Sequence, residues 1–514
     1  MVTILWADDE IDMLKPYMMF LADKGYKVET ATNGHDAIEM FRAGTYDIVF
    51  LDENMPGLSG LETLTEINRM NPSVPVVMIT KSEEENIMDM AIGNKMADYL
   101  IKPVNPNQIL MTLKKHVHKR EILSEQTTSG YRNEFGQIGM QISDRLTPDE
   151  WYELYKRLVY WDIKLEETDN EMHELLHAQM SEANNMFARF IRNNYLTWLQ
   201  PDAEHPMMSH EVFKKRIFPM LDRGEKVFLV VIDNFRYDQW KVIQPMLGEF
   251  FQFDSEELYF SILPTATQYA RNAIFSGLLP LQIKRMFPDL WVDEDEEEGK
   301  NMKEAELLGK LMERYRRRET YSYHKVNNTQ MGEKLLEQLH SLTNNSLNVC
   351  VLNFVDMLSH ARTESQMIRE LANTEAAFRS LAHSWFRHSS TYALFKGLAE
   401  RGFKVVVTTD HGTVHVNNPI KVVGDRNTNV NLRYKVGKAL AYDRKEVFEI
   451  ADPAKAGLPS LNVSSKYIFA MNNDFFAYPN NYNYYVSYYR DTFQHGGISM
   501  EEMLIPFVTM SPKA

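Results

Sequence analysis

A chain of 514 residues with a 44% hydrophobic fraction holds enough apolar side chain for about three to four packed domains. Its formal charge of −15 tells against a protein that coats duplex DNA, since that affinity comes from Lys and Arg neutralising phosphates. No apolar run approaches the roughly 20 residues needed to span a bilayer, and the single cysteine excludes an intramolecular disulfide. Cys350 lies in the run Val349-Cys350-Val351-Leu352 and is expected in a core. The sequence opens directly on the strand-like VTILWADDE rather than on a basic, then apolar leader, so a cytoplasmic location without membrane insertion is expected.

Residues 1–120 alternate short apolar runs with amphipathic stretches. Val2–Ala7, Val28–Thr30, Ile48–Leu51, Val76–Ile79 and Tyr99–Ile101 read as strands of a parallel sheet covered by helices on both faces. In such a sheet the ligand site lies at the carboxyl ends of the strands, and the charged residues fall there. Asp8 and Asp9 follow the first strand, Asp52 the third, Thr80 the fourth and Lys102 the fifth. Three carboxylates brought together repel one another unless a hard cation such as Mg²⁺ binds between them. That is a setting for phosphoryl transfer to Asp52, with Lys102 pairing with one phosphoryl oxygen and the Thr80 hydroxyl donating to another. Tyr99 reads either as a partner that turns inward when Thr80 moves or as a buried strand tyrosine. Lys102-Pro103 is a candidate cis bond.

This stretch, including the LDENMPGLSG run, resembles the response-regulator receiver family over its whole length. The resemblance implies a flavodoxin-like fold with Asp52 as phospho-acceptor. Asp8, Asp9 and Asp52 would supply carboxylates to Mg²⁺, and the backbone carbonyl of Asn54 a further ligand.

Residues 121–208 are richer in Leu, Met, Glu, Lys and aromatic residues at helical spacing and are expected to form a helical bundle or linker domain. Glu125 to Gly136 (EQTTSGYRNEFG) reads as a linker or loop. TPDEWYELYKRLVYWDIKL reads as an amphipathic helix with Thr147 as N-cap, Pro148 in the first turn and Glu150 closing a capping box. A second helix is expected from about Glu171 to Leu199. His173 and His177, with Glu174, Leu175 and Leu176 between them, would share one of its faces at a spacing that can ligate metal, but they are not expected to be ligands. No helix-turn-helix with a basic recognition helix stands out. The bundle is expected to relay the receiver's state through dimerisation, the alternative being a passive spacer.

Residues 209–514 carry three apolar strands that end on carboxylates. Lys226–Ile232 precedes Asp233, Asn348–Val355 precedes Asp356 with His360 four residues on, and Phe403–Thr409 precedes Asp410-His411-Gly412; His495 follows in QHGG. Carboxylates and imidazoles suit zinc, and six such side chains exceed what one tetrahedral ion needs. A pair of ions about 4 Å apart can hold the attacking and leaving oxygens of a phosphoryl group. Thr267, at the head of a helical stretch in LPTATQYARNAIFSG, would sit where backbone N–H groups favour negative charge and could act as nucleophile. The plain alternative is that Thr265 or Thr267 caps the helix. Arg271, His324 and His415 are candidates for contacting substrate phosphate. The tyrosine-rich YPNNYNYYVSYYRDTFQHGG reads as a packed antiparallel edge, or as a base-stacking surface.

PTATQYARNAIFSG, TTDHG and QHGG resemble the alkaline phosphatase superfamily, and within it the PglZ branch. The resemblance implies one zinc held by Asp233, Thr267, Asp410 and His411 and a second held by Asp356, His360 and His495. Threonine without a CxPxR-type signature points to phosphate esters rather than sulfates. The order of receiver, helical middle and PglZ domain is similar to the PorX regulators of Bacteroidetes, which are linked to type IX secretion. That implies a sensor histidine kinase as phosphodonor, a phosphorylation-promoted homodimer, an alternative sigma factor as partner, and phosphodiesterase activity toward linear or cyclic oligonucleotides. Two other outputs are compatible with the residues: a signalling scaffold in which zinc is structural, and a phosphomonoesterase with an extra cationic group.

Overall fold

The computed structural model describes residues 2–513 except 72–73, 81–95, 143–144, 167–169, 294–295, 297–298, 300, 357–373, 425–427 and 461. The chain divides into two compact units, 1–130 and 131–514.

In the first unit β1 (Thr3–Ala7), β2 (Lys27–Ala31), β3 (Ile48–Asp52), β4 (Val76–Thr80) and β5 (Asp98–Ile101) form a parallel sheet in the order β2-β1-β3-β4-β5. β3 and β4 are buried along their whole length, as central parallel strands with both faces covered must be. One core lies on each face, around Leu5, Val49 and Leu64 on one and Ile4, Phe50 and Ile109 on the other. Capping boxes start two of the covering helices: Ser59 with Glu62 opens Gly60–Met70, and Asn105 with Gln108 opens Pro106–His116. The order reverses direction at β1 and β3, which gathers their carboxyl ends into a crevice.

Glu125–Gly136, expected as a linker or loop, is instead helical within His118–Ile142. Its polar, glycine-containing sequence is carried by burial of Tyr131, Ile138 and Ile142 in the core of the second unit. Tertiary burial thus overrides weak propensity. The Pro148–Leu165 helix starts as expected, with the Thr147 hydroxyl and Glu150 capping each other. The third helix is Asn170–Trp198. These helices share one core with the α/β part, in which Trp151 meets Phe187 edge-on at 5.2 Å and Phe187 stacks on Phe260.

The α/β part is built on β6 (Val227–Ile232), β7 (Phe251–Phe260), β8 (Tyr321–Val326), β9 (Leu347–Leu352), β10 (Lys404–Thr408) and the strand Leu504–Pro512. The sheet order is β7, Leu504–Pro512, β10, β6, β9, β8. β10, β6, β9 and β8 run parallel, whereas Leu504–Pro512 is antiparallel to both of its neighbours. β6 and β9 are wholly buried, and Cys350 within β9 is core as expected. Their parallel register brings the residues after β6, β9 and β10 to one edge. The tyrosine-rich segment departs from expectation. Asn481 takes a left-handed φ of 55° and starts the helix Tyr482–Tyr489. Tyr484 stacks on Tyr488 and Tyr485 on Tyr489 at i,i+4 spacing, which offsets the strand preference of tyrosine.

Candidate active site

At the carboxyl edge of the first unit, Asp8 and Asp52 are buried, Asp9 is exposed, and their carboxylate oxygens lie within 4.8 Å of one another. Lys102 Nζ lies 3.0 Å from Asp8 Oδ2 and 3.1 Å from Asp52 Oδ1, so it already spans two of the three carboxylates. Burial raises the Asp52 carboxyl above its ordinary range; Lys102 opposes this, and the charges of Asp8 and Asp9 add to it. The peptide before Pro103 is cis. The buried Thr80 hydroxyl donates to Glu53, Tyr99 is half-buried against the core, and Asn54 is exposed two residues after Asp52.

The edge of the second unit gathers Asp233, Thr267, Asp410 and His411. Ligand atoms of Asp233, Asp410 and His411 lie within 4.8 Å of one another, and all three residues are buried. Thr267 is the first residue of the Thr267–Ser276 helix, whose N-cap is Ala266 with no side-chain cap. Its hydroxyl is directed to Asp233 Oδ1 at 3.4 Å and to His411 Nε2 at 3.2 Å. Thr265 does not cap the helix either: its hydroxyl donates to the Gly497 carbonyl and accepts from the Gly496 N–H. The capping explanation for these threonines therefore gives way to two distinct roles, one facing the carboxylates and one anchoring the loop that bears His495.

His495 Nε2 is 3.9 Å from Asp356 Oδ1, and its ring stacks on His411 with centroids 4.3 Å apart. Asn234 joins the two halves of the cluster. Its backbone N–H faces Asp410 Oδ1 at 3.3 Å and its Nδ2 donates to Asp356 Oδ1 at 3.3 Å, from a left-handed φ of 59° that asparagine tolerates better than most residues. His360 lies outside the described residues.

Burial raises the carboxyls of Asp233 and Asp410 and lowers the His411 imidazole, with Arg271 opposing the rise at both carboxylates. A neutral imidazole is the form that ligates metal. Asp410 Oδ2 is buried with no hydrogen-bond partner among the described residues. An unsatisfied buried carboxylate oxygen beside a second carboxylate and a neutral histidine fits a divalent cation, which would supply the missing charge.

Arg271 differs from its expected place at the substrate. Its side chain is buried, 2.6 Å from Asp233 Oδ2, and its Nε donates to Glu304 Oε1 at 2.6 Å. Glu304 also accepts from Lys325 and Tyr323. His415 lies on Val414–Val416 with its ring against Phe493, lining a cavity shared with His177 and Glu501. His324 contacts Ser322 and lies on the β8 face opposite Tyr323, which bonds Glu304. The arrangement does not bring His324 or His415 into the carboxylate cluster. Sequence reasoning missed Asn234 and Glu304; the first had a signal, as the residue after a strand-end aspartate.

These two edges define a phosphorylatable switch unit and a phosphoesterase-like unit in one chain. Residues 212–510, more than half of the chain, match the BREX system PglZ alkaline phosphatase-like domain, so the chain belongs to that family. Residues 121–199 match the PorX response regulator linker domain and residues 4–114 the response regulator receiver domain, giving the PorX-type architecture. Among curated relatives, the transcriptional regulatory protein ZraR of Escherichia coli O157:H7 is 31% identical over 138 residues, 27% of this chain and 31% of that protein. ResD of Bacillus subtilis is 32% identical over 111 residues, 22% of this chain and 46% of that protein. The chain thus spans about a third to a half of the length of these relatives. A Vibrio cholerae chemotaxis protein CheY4 structure is similar at 28% identity, covering 23% of this chain and 98% of that one with a TM-score of 0.22. The Thermotoga maritima response regulator TrrA is 31% identical, covering 22% and 98%, with a TM-score of 0.21. The chain thus combines a response regulator receiver domain with an alkaline phosphatase-like domain. No described helix is long and apolar enough to cross a membrane.

Proposed function

We propose that the effector is a zinc-dependent phosphodiesterase acting on linear or cyclic oligonucleotides, with Thr267 as nucleophile. The observation that carries this reading is the Thr267 hydroxyl on the first turn of its helix, between Asp233 and His411. Asp233, Asp410 and His411 would hold one zinc with Thr267, and Asp356, His360 and His495 the other. When bound, the two ions would supply positive charge to both oxygens of an in-line displacement and acidify the nucleophile.

The Thr267 oxygen attacks phosphorus, the bond to the leaving nucleotide oxygen breaks, and the hydroxyl proton passes to solvent. The leaving oxygen takes up a proton from solvent, and the phosphothreonine diester so formed keeps the substrate's second ester; in the second half water attacks phosphorus, the bond to Thr267 Oγ breaks and a phosphate monoester leaves. The backbone N–H groups at the head of the helix favour the anionic phosphate. Arg271 faces Asp233 and Glu304 instead of the open side, which favours a diester over a monoester, since a monoester needs a further cation on its non-bridging oxygens.

Phosphorylation of Asp52 with Mg²⁺ on Asp8, Asp9, Asp52 and the Asn54 carbonyl would control assembly of a homodimer, through Thr80, Tyr99 and Lys102. Regulation of type IX secretion, with an alternative sigma factor as partner, belongs to the same proposal. The test is hydrolysis of an oligonucleotide and of matched mono- and diester reporters by zinc-loaded protein. Diester cleavage lost in Thr267→Ala supports the enzyme; a wild type that binds two zincs and cleaves nothing, with or without Asp52 phosphorylation, supports a scaffold.

A further inference from the structure

The Pro148–Leu165 and Asn170–Trp198 helices bring together a second group of metal-competent side chains. His173 and His177 are one turn apart on the same helix face, and Asp162 approaches from the preceding helix. His173 Nε2 is 2.9 Å from Asp162 Oδ1, His177 Nε2 is 3.4 Å from the same oxygen, and the two imidazole nitrogens are 3.2 Å apart. The two rings stand at 77° to each other. We propose that these residues bind a further divalent cation of the zinc class, separate from the pair assigned to the phosphoesterase site.

Three distances carry the argument. A tetrahedral ion with ligand arms near 2.0–2.1 Å places its ligand atoms about 3.3 Å apart. The triangle of Asp162 Oδ1, His173 Nε2 and His177 Nε2 has edges of that size, so it forms one face of such a tetrahedron. A hydrogen-bond network needs only one proton between each pair. Here both imidazoles direct the same nitrogen at one carboxylate oxygen and at each other, an arrangement that leaves at most two of three contacts with a proton in the middle.

Asp162 is prepared for this use. Its Oδ2 accepts from Arg379, which fixes the carboxylate and leaves Oδ1 for the histidines. Arg379 also reaches Glu166 and Asp238, and Arg236 pairs with Asp238 and Glu375. Four carboxylates therefore surround two guanidiniums, leaving two negative charges in excess, the charge that one divalent ion neutralises. With three protein ligands, the remaining position would face the cavity of about 290 Å³ that Asp162, His177 and Glu501 line, where water completes the shell.

The ion would staple the two helices together. The Asn170 helix also contacts segments that flank the phosphoesterase site: Asn184 bonds Glu501 and the Met500 N–H of the short helix Met500–Met503, and the Tyr195 hydroxyl accepts from the Leu263 N–H. The staple is a structural role and takes no part in bond cleavage.

The test counts zinc. Metal-stripped full-length protein is equilibrated with Zn²⁺, desalted and analysed by atomic emission, for wild type, His177→Gln and His173→Ala/His177→Ala. The expected result is one equivalent fewer in both variants, whatever number wild type holds. A smaller rise in melting temperature on adding zinc should accompany it. The same difference must persist in a Thr267→Ala, Asp233→Asn, Asp356→Asn background, which separates this position from the phosphoesterase pair. Equal zinc counts in wild type and variants overturn the proposal. Circular dichroism of the metal-free forms checks folding, and the glutamine variant carries the count if the double alanine variant unfolds.

Discussion

The guanidinium of Arg271 lies 2.6 Å from Asp233 Oδ2, and it does so from one turn beyond Thr267 on the same helix. One short helix thus presents the hydroxyl to the cluster and supplies the charge that lets Asp233 remain in a buried place. The position of the hydroxyl and the charge that opposes the burial of its neighbour come from one element.

Replacing Arg271 with methionine should leave Asp233 without its cation and Glu304 with only Lys325 and the Tyr323 hydroxyl. Removing one member of a buried ion pair costs about 3–5 kcal/mol, so Arg271→Met is expected to lower stability by that amount in urea unfolding. Diester hydrolysis should fall with it. A variant with unchanged unfolding midpoint would show that the pair is unimportant to the fold.

Gly412 sits beside His411 where a side chain has no room: a Cβ there would meet the Glu501 carbonyl oxygen at 2.0 Å. Gly412→Ala should push the Asp410-His411 segment away from the short helix Met500–Met503. The expected cost is roughly 1–3 kcal/mol in thermal unfolding, with zinc affinity reduced.

Burial raises the Glu501 carboxyl from its ordinary 4.5 to about 7, with Asn184 opposing the rise. The folded state therefore holds a proton that the unfolded chain has already lost. The stability this confers is full below pH 4.5 and is lost as pH rises through about 7, on the order of 3 kcal/mol in total. Glu501→Gln should remove that slope. Urea midpoints at pH 5 and pH 8 test it: the variant gains on wild type at pH 8, and parallel curves would contradict the assignment.

In the receiver, Asp52→Asn removes one of three converging carboxylates. Mg²⁺ affinity measured by calorimetry should drop at least about tenfold, and phosphoryl uptake should disappear. The metal-free receiver should become more stable, because the variant no longer buries a carboxylate beside Asp8 and Asp9.

Much of this arrangement was legible in the sequence because strand-end carboxylates are a local pattern. Val227–Ile232 and Lys404–Thr408 are continuous apolar runs, and each delivers its aspartate to the sheet edge by direction alone. The Thr147 capping box was legible for the same reason. Arg271 was not, because whether a helical arginine turns to substrate or to a neighbouring carboxylate depends on Glu304, 33 residues away. The Glu125–Gly136 stretch was misread because its helix is held by core contacts of Tyr131 and Ile138 rather than by its own polar residues. The tyrosines of Tyr482–Tyr489 mislead in the opposite direction, their strand propensity yielding to stacking along a helix.

The insertion of Leu504–Pro512 between β7 and β10 bears on how a copy of this protein is made. β7 has that strand as its neighbour in the sheet, yet more than 240 residues separate the two in the chain. At a ribosomal rate of roughly 5–20 residues per second, β7 waits on the order of tens of seconds for its partner. A nascent or prematurely halted chain exposes open strand edges through that interval, so it is a client for chaperones or proteases before its sheet is closed. Unfinished copies would be cleared before the sheet that holds Asp233 and Asp410 is complete.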